Sequence, residues 1–522
     1  MNRPPSLVLL FLASLLPGCQ GSPPADREEP TGPVLFRDVT EEVGLHFVHD
    51  PGPLGSYFMP QIVGSGAALF DYDNDGLPDV LVTQYGGSRL FRNNGDGTFT
   101  DITKEAGLDL VLWGTSASFV DYDRDGWLDL VVVHYLDYGP DRPCTDMGGR
   151  REFCPPQAFH GTITKLFHNR GRSPENKTEI RFEDVTLKSG LGKQPGPGLG
   201  IVCADFDGDG WPDILIANDR QPNYLWINRR DGTFREEALV RGLAFNAEGH
   251  AQGNMGVALG DVDGDHRFDI FITPLTEETH TLWVQNAPGY FQDRTAASGL
   301  AATRWRGTGF GTVMEDFDQD GSPDLAVVNG RVMYGKPPAG TVTDAVAEVG
   351  PFWCHYADRN QIFLNDGKGS FRDVSPANPP FCGRPGVYRG LVAGDVDGDG
   401  AIDLLVTSIS GPARLFRNVA PNRGHWLLVR ALDPALRRDA YGAEVTVAAG
   451  ERRWKRWLNP GSSYLCSNDP RLHFGLGSAA RVDTIEVLWP DGAREEFPGV
   501  PADKSLVLRK GEGRAVREKQ KP

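Results

Sequence analysis

The chain has 522 residues, with 64 Gly, 39 Pro and 10% aromatic residues, and a formal net charge of −17. That charge argues against nucleic acid and against an anionic membrane surface as partner. The turn-rich composition favours short strands over long helices, and the length suits two to three domains.

Residues 1–18 hold an early Arg3 and an apolar run from Leu7 to Leu16. The run is too short to cross a membrane as a mature helix and reads as a signal peptide. It ends Leu16-Pro17-Gly18-Cys19, which resembles a bacterial lipobox. The resemblance implies an exported lipoprotein lipidated at Cys19 and anchored to the cell envelope; the alternative is plain cleavage and secretion. Residues 19–33 are Gly, Ser, Pro and charge, with little to bury, and read as a tether.

From residue 34 the chain repeats itself. A unit opens with a small-residue strand such as Gly64 to Phe70, continues through the loop Asp71-Tyr-Asp-Asn-Asp-Gly-Leu-Pro-Asp79 and an apolar strand, then Leu90-Phe-Arg-Asn93 and Phe99-Thr-Asp-Ile-Thr103. Six loops place Asp at positions 1, 3, 5 and 9: Asp71, Asp73, Asp75 and Asp79; Asp121, Asp123, Asp125 and Asp129; Asp205, Asp207, Asp209 and Asp213; Asp261, Asp263, Asp265 and Asp269; Asp316, Asp318, Asp320 and Asp324; Asp395, Asp397, Asp399 and Asp403. Alternating carboxylates on a tight loop bring hard oxygen donors around one point, which suits calcium. An EF-hand closes with Glu at position 12 and is flanked by helices. Here Asp closes at position 9 and a strand follows, so each loop belongs to a β-hairpin. Up to six calcium ions are expected, and their +12 would bring the net charge from −17 to −5. Loop four has His266 where the others have Gly, a position that needs a left-handed backbone; its site is expected to be the weakest.

Four short strands per unit make a propeller blade. One closing strand, Phe36 to Thr40, precedes the first loop and none follows the sixth, so it should complete the blade begun by residues 390–418. The expected fold is all-β: six blades, seven if residues 41–62 or an insertion supplies another, then a small β-rich domain. The long intervals between loops hold insertions at about 137–165 and 331–360. Exported chains permit disulfides, and pairs are expected for Cys144 with Cys154 and for Cys354 with Cys382. Cys203, on an apolar strand, reads as a buried free thiol.

The repeat resembles the FG-GAP/VCBS family, which includes the integrin α-subunit propeller; the resemblance covers 34–418 and implies calcium in the Asp loops. Residues 419–512 leave the repeat, with strands expected at Trp426 to Ala431, Glu444 to Ala448, Val482 to Trp489 and Ser505 to Arg509. The stretches Tyr464 to Gly477 and Val487 to Gly492 resemble the ASPIC/UnbV domain, which follows FG-GAP repeats in proteins similar to cartilage acidic protein. Residues 513–522 read as a disordered tail.

No Gly-x-Ser-x-Gly, His-Glu-x-x-His or phosphate-binding Gly loop occurs. His473 reads as a structural residue. Trp113, Tyr135, Tyr138, Trp305 and Tyr334 could line a binding face, although blade packing is the better reading for Trp113 and Trp305. The expectation is a surface binding or adhesion module for a protein or polysaccharide, with no nucleic acid and with the membrane reached only through lipid. The alternative is an enzyme acting on carbohydrate or an unsaturated small molecule, with its site on the propeller axis.

Overall fold

The computed structural model describes residues 32–108, 111–172, 180–338 and 340–516. The expected signal peptide and the expected lipidation site Cys19 lie outside them. Six antiparallel four-stranded sheets follow one another along the chain. Blade one is Gly66–Phe70, Asp79–Thr83, Arg89–Asn93 and Phe99–Asp101; blade two is Gly114–Val120, Asp129–His134, Lys165–Arg172 and Ile180–Asp184. Blades three, four and five open with Gly198–Ala204, Val257–Gly260 and Gly309–Glu315. Blade six takes Tyr388–Gly394, Asp403–Ser408 and Arg414–Asn418 from one end of the repeat and Phe36–Asp38 from the other, with Phe36 opposite Asn418. Phe36 is fully buried against Phe317 and Phe381, so ring closure is both a hydrogen-bonded and a packed joint.

Among the described residues the ring has six blades. Residues 41–63 contribute a two-residue strand, Val48–His49, paired with Gly411–Pro412, and the short helix Met59–Val63. They join the two insertions, one a Cys144–Thr145/Arg151–Glu152 hairpin and the other the helical segment Val342–Trp353, in a cap over one mouth of the ring. Phe153 stacks on Trp353, and Tyr57 sits edge-on to both Phe153 and Phe352. The insertions therefore form one aromatic layer rather than a seventh blade.

The C-terminal unit is two sheets. His425–Asp433 is flanked antiparallel by Leu472–Gly477 and parallel by Lys504–Arg509. The other sheet runs in the order Arg452–Trp457, Glu444–Ala449, Thr484–Leu488, Arg494–Pro498, Arg514–Ala515. Alternate residues Leu427, Val429 and Ala431, Val445 and Val447, and Ile485 and Val487 enter one core, the period of two expected of half-buried strands. The expected tail begins instead as a strand, because Arg514 and Ala515 pair with Glu496 and Glu495; residues 517–522 lie outside the described residues.

Cys144 and Cys154 are joined, stapling the cap hairpin. The expected Cys354–Cys382 bond is absent: both are free thiols in different apolar clusters. Cys354 belongs to the cap with Trp353 and Tyr356, whereas Cys382 packs with Phe36 and Phe381 at the closing blade. Their closeness in sequence spans blade five's outer strands, not a shared contact. Cys203 is a fully buried free thiol, as its apolar strand implied.

Candidate functional site

Each Asp loop joins the first and second strands of a blade, and its carboxylates first organise its own backbone. The position-1 Asp accepts the position-6 amide: Asp71 from Gly76 at 2.8 Å, Asp205 from Gly210 at 2.7 Å, Asp316 from Gly321 at 2.8 Å. The position-9 Asp is the anchor. Asp79 accepts the Tyr72 amide at 3.2 Å and the Asn93 amide at 2.8 Å, and Asp324 does the same with Phe317 and Asn365 at 3.0 and 2.9 Å. This explains the Asn that ends the third strand, which sequence reasoning used only as a repeat marker. Its side chain continues to the neighbouring blade: Asn169 donates to the Tyr72 carbonyl at 3.0 Å, and Asn228, Asn365 and Asn418 donate to Tyr122, Val262 and Phe317 carbonyls at 2.9 Å.

Position 4, as well as position 6, takes a left-handed backbone. Three loops place Gly there; the others place Asn74, Arg124 and Gln319 at φ of 55°, 62° and 60°. Each of these three reaches the position-6 carbonyl of the next loop: Asn74 that of Gly126, Arg124 that of Gly210, and Gln319 that of Gly400. The Gly-or-polar alternation at position 4 was the available signal.

The residues fit a hard cation. Carboxylate oxygens of Asp71, Asp73 and Asp79, of Asp121, Asp123 and Asp125, of Asp205, Asp207 and Asp213, and of Asp261, Asp263 and Asp265 lie within 4.8 Å of one another. Burial pushes the carboxyls up, Asp71 to about 6, Asp121 and Asp205 to about 7, Asp79 and Asp269 to about 8, and Asp316 and Asp324 well above the usual range. Asp121, Asp207 and Asp263 each keep one buried oxygen with no hydrogen-bond partner, an arrangement that a bound cation would relieve. These all-oxygen donor sets suit calcium better than a transition metal; in loop two His168 joins Asp123 and Asp129 within the same distance, a set with one nitrogen donor.

The loops are not equivalent. Arg241 pairs with Asp207 at 3.2 Å, Arg230 with Asp209 at 2.7 Å, and Arg417 with Asp397 at 2.8 Å. In loop two, His168 Nδ1 lies 3.0 Å from Asp129, which raises the imidazole pKa through that hydrogen bond; sequence reasoning passed over this histidine. In loop four, His266 has φ 70° and Arg267 pairs with Asp265. A side chain in that backbone region costs about 1 kcal/mol or more. His266→Gly is therefore expected to tighten calcium at loop four about fivefold and to raise the melting temperature when calcium is limiting. Identical titrations of variant and parent by calorimetry would refute it.

The C-terminal unit sits on the Asp-loop face. Arg438 donates to Asn74 at 2.7 Å and to the Gly126 carbonyl at 3.2 Å; Arg452 and Arg471 reach the Asp320 and Asp395 carbonyls at 2.8 Å; His473 meets the Gly400 carbonyl at 3.0 Å. The histidine is structural, as read, and burial lowers its pKa to about 4. From this unit residues 459–469 thread the ring's channel. Ser463 exchanges backbone hydrogen bonds with Val257 and its hydroxyl donates to the Leu391 carbonyl at 2.9 Å. The small residues of the innermost strands make room: a Cβ on Gly66 would stand 3.0 Å from Leu465 Cβ, and one on Gly390 would stand 3.0 Å from Cys466 Sγ. Tyr464, fully buried, ends the plug edge-on to Phe310.

Between this plug and the cap lies a cavity of about 510 Å³. It takes Tyr135 and Tyr334 from the expected aromatic set; Trp113 and Tyr138 are buried in the cap and blade packing, as is most of Trp305.

A model of the FG-GAP-like repeat matches residues 71–132, 205–272 and 352–424, and a model of the ASPIC and UnbV domain matches residues 434–515. Cartilage acidic protein 1 of Xenopus tropicalis is 30% identical over 321 residues, which is 60% of this chain and 44% of that protein. Cartilage acidic protein 1 of Homo sapiens is 29% identical over 320 residues, again 60% and 44%. The match spans less than half the length of these relatives. Among solved structures, an Agrocybe aegerita lectin that recognises non-reducing terminal N-acetylglucosamine is 15% identical, covering 69% of this chain and 80% of its own, with a TM-score of 0.39; that overlap is too slight to bear on function.

Proposed function

Since the chain belongs to the FG-GAP-repeat proteins that end in an ASPIC/UnbV domain, we propose that it is an exported, calcium-braced β-propeller. It binds a protein or an extracellular polysaccharide on the face its C-terminal unit leaves free. One observation carries this reading. The Asp-loop face is covered and the channel is filled, so the capped face is the one left for a partner. That cap exposes Phe47, Val48 and Leu54, each more than half accessible, on a segment the ring does not need for closure. Exposed apolar residues grouped on one face mark interaction surfaces.

Calcium is assigned here to bracing. The Asp at positions 1, 3, 5 and 9 of each loop would hold it, and it would supply the positive charge that lets them all ionise. Among the described residues no helix is long and apolar enough to cross a membrane; anchoring is assigned to lipid on Cys19. The test uses the full chain with Cys19→Ser, which should leave the membrane fraction. This soluble chain is applied to arrays of glycans and of extracellular matrix proteins. Binding to a defined glycan or protein, lost when Phe47, Val48 and Leu54 are changed to Ser, is the expected result. Binding that survives those changes would remove the cap as the recognition face, and membrane retention of the Cys19→Ser chain would remove the lipid anchor.

A further inference from the structure

The cavity above the channel plug is not accounted for by bracing or by a surface partner. It is built from four separated parts of the chain: the helix Met59–Val63, the disulfide-stapled hairpin, loops of the middle blades, and Tyr464 from the C-terminal unit. Its volume is that of a site for a small organic molecule, which such cavities enclose with an apolar lining and few polar groups. The apolar wall comes from Ile62, Leu199, Met255, Phe310 and Tyr464.

The polar groups around it differ in how far they are satisfied. Arg331 is spent on Asp358 at 3.0 Å. Glu152 accepts the Tyr356 hydroxyl at 2.8 Å and the Tyr334 amide at 2.7 Å. Arg389 lies behind the wall, stacked on Phe310 at 3.7 Å, and gives its donors to the carbonyls of Ile62, Gly330, Tyr388 and Arg331. Asp219 is different. It is 8% exposed and lines the cavity. One of its oxygens accepts the Tyr135 hydroxyl at 2.6 Å; the other makes no direct hydrogen bond among the described residues and opens toward the cavity, where the charge of Arg220, also in the lining, favours the ionised carboxylate. The backbone holds it there: the Asp219 amide donates to Pro197 at 2.9 Å, and Arg220, next in the chain, is forced to φ 55°. A left-handed Arg that holds a carboxylate with one oxygen open to the cavity is an arrangement the ring's closure does not require.

We propose that the axial cavity binds a compact, largely apolar molecule of about two fused rings, which presents a hydrogen-bond donor, hydroxyl or ammonium, to the free oxygen of Asp219. Tyr135 positions that carboxylate by occupying its other oxygen. Phe310 and Tyr464 supply aromatic surface for the ligand's body, and Met147 and Met333, exposed at the rim, supply adaptable side chains over the entrance. The site joins the ring to the C-terminal unit, because its floor is Tyr464. It lies where an axial active site would be, but the inference is one of binding.

The test uses the full chain and three naphthalene probes of matched size: 2-naphthol, 2-(aminomethyl)naphthalene and 2-methoxynaphthalene. Affinity is read by calorimetry and position by crystallography. At least one donor-bearing probe should bind at least about tenfold more tightly than the methoxy probe, the preference expected of a donor matched to a buried carboxylate. Tighter binding of the hydroxyl probe alone assigns a neutral donor, and of the ammonium probe alone a cationic one. Asp219→Asn, which keeps the size of the side chain, should remove the preference for ammonium, and Tyr135→Phe should weaken both donors. If Asp219→Asn fails to fold, the crystallographic position in the parent chain decides. Equal affinity for all three probes, no binding to the folded parent, or a probe seated away from Asp219 would overturn the proposal. A chain that binds these probes yet no glycan or protein would sink the surface-module reading and leave this one standing.

Discussion

Removing divalent metal is expected to lower the melting temperature of the intact chain by more than about 10 °C. An ion bound only by the folded state adds about 2.7 kcal/mol per site at a hundred times its Kd. Six filled loops would together add about 16 kcal/mol. Unfolding entropy of about 2 cal/mol/K per residue makes about 1 kcal/mol/K for a chain of this length, so that sum corresponds to about 15 °C. Calcium should restore the loss and magnesium should do so less well, because magnesium demands a tighter octahedral shell and sheds water reluctantly. A melting curve that EDTA leaves unmoved would rule out metal in these loops.

The same experiment has a pH signature. Without metal, burial holds the carboxyls of Asp71, Asp205 and Asp79 at about 6, 7 and 8, above the unfolded value near 4. A carboxyl raised in the folded state contributes stability that is complete below the unfolded value and is lost as pH climbs through the folded one. In EDTA the melting temperature should therefore fall from pH 5 to pH 8. With calcium bound the carboxylates are held ionised, the folded pKa drops, and the slope reverses: stability is complete at neutral pH and is lost on acidification. Parallel slopes with and without calcium would mean that these carboxyls do not meet the ion.

The ring was legible because its signals are local and repeated. Asp-x-Asp-x-Asp with Gly at position 6 dictates a tight turn, and the lone Phe36 to Thr40 strand could only be the missing partner of Arg414–Asn418. Position 6 of loop four, His266, has the left-handed backbone that the pattern demanded. What escaped was contact between segments far apart. The plug is polar and rich in Ser, its latter half reads in sequence only as part of the C-terminal domain, and nothing local says that Ser463 pairs with Val257, far away in the chain. The parallel pairing of Lys504–Arg509 with His425–Asp433 is equally invisible, since strand direction leaves no mark on a period of two. Cys354 and Cys382 misled for the converse reason: sequence proximity stood in for spatial proximity, while blade five's outer strands lie between them. Asp219 was passed over because it lies outside every Asp loop and follows the strand Asp213–Asn218 by one residue; only the cavity gives it meaning.

A chain stopped after Asn418 is expected not to fold to a soluble ring, with or without calcium. The innermost strands carry glycines where a plug must pass, so an empty channel would be lined by too little side chain to fill itself. The stop also strips cover from blades one and two. Phe70, Phe119 and Leu130 share a single apolar core with Leu427, Val429 and Phe474 of the C-terminal unit. Exposing a core of that kind costs about 25 cal/mol for each Å² of apolar surface, and aggregation follows. The finer probe is Tyr464→Ala in the full chain. It removes a fully buried ring, its edge contact with Phe310, and a 3.0 Å hydrogen bond to the Val63 carbonyl. Deletion of a buried aromatic costs about 3–5 kcal/mol, which at about 1 kcal/mol/K is a fall of about 3–5 °C. Because plug, ring and Asp-loop cover are one packed body, the variant and its parent should each melt in a single transition that moves as a whole. Two separated transitions in the parent, or a soluble truncated ring with its own calcium-dependent melt, would show instead that the C-terminal unit is an ornament on an independent propeller.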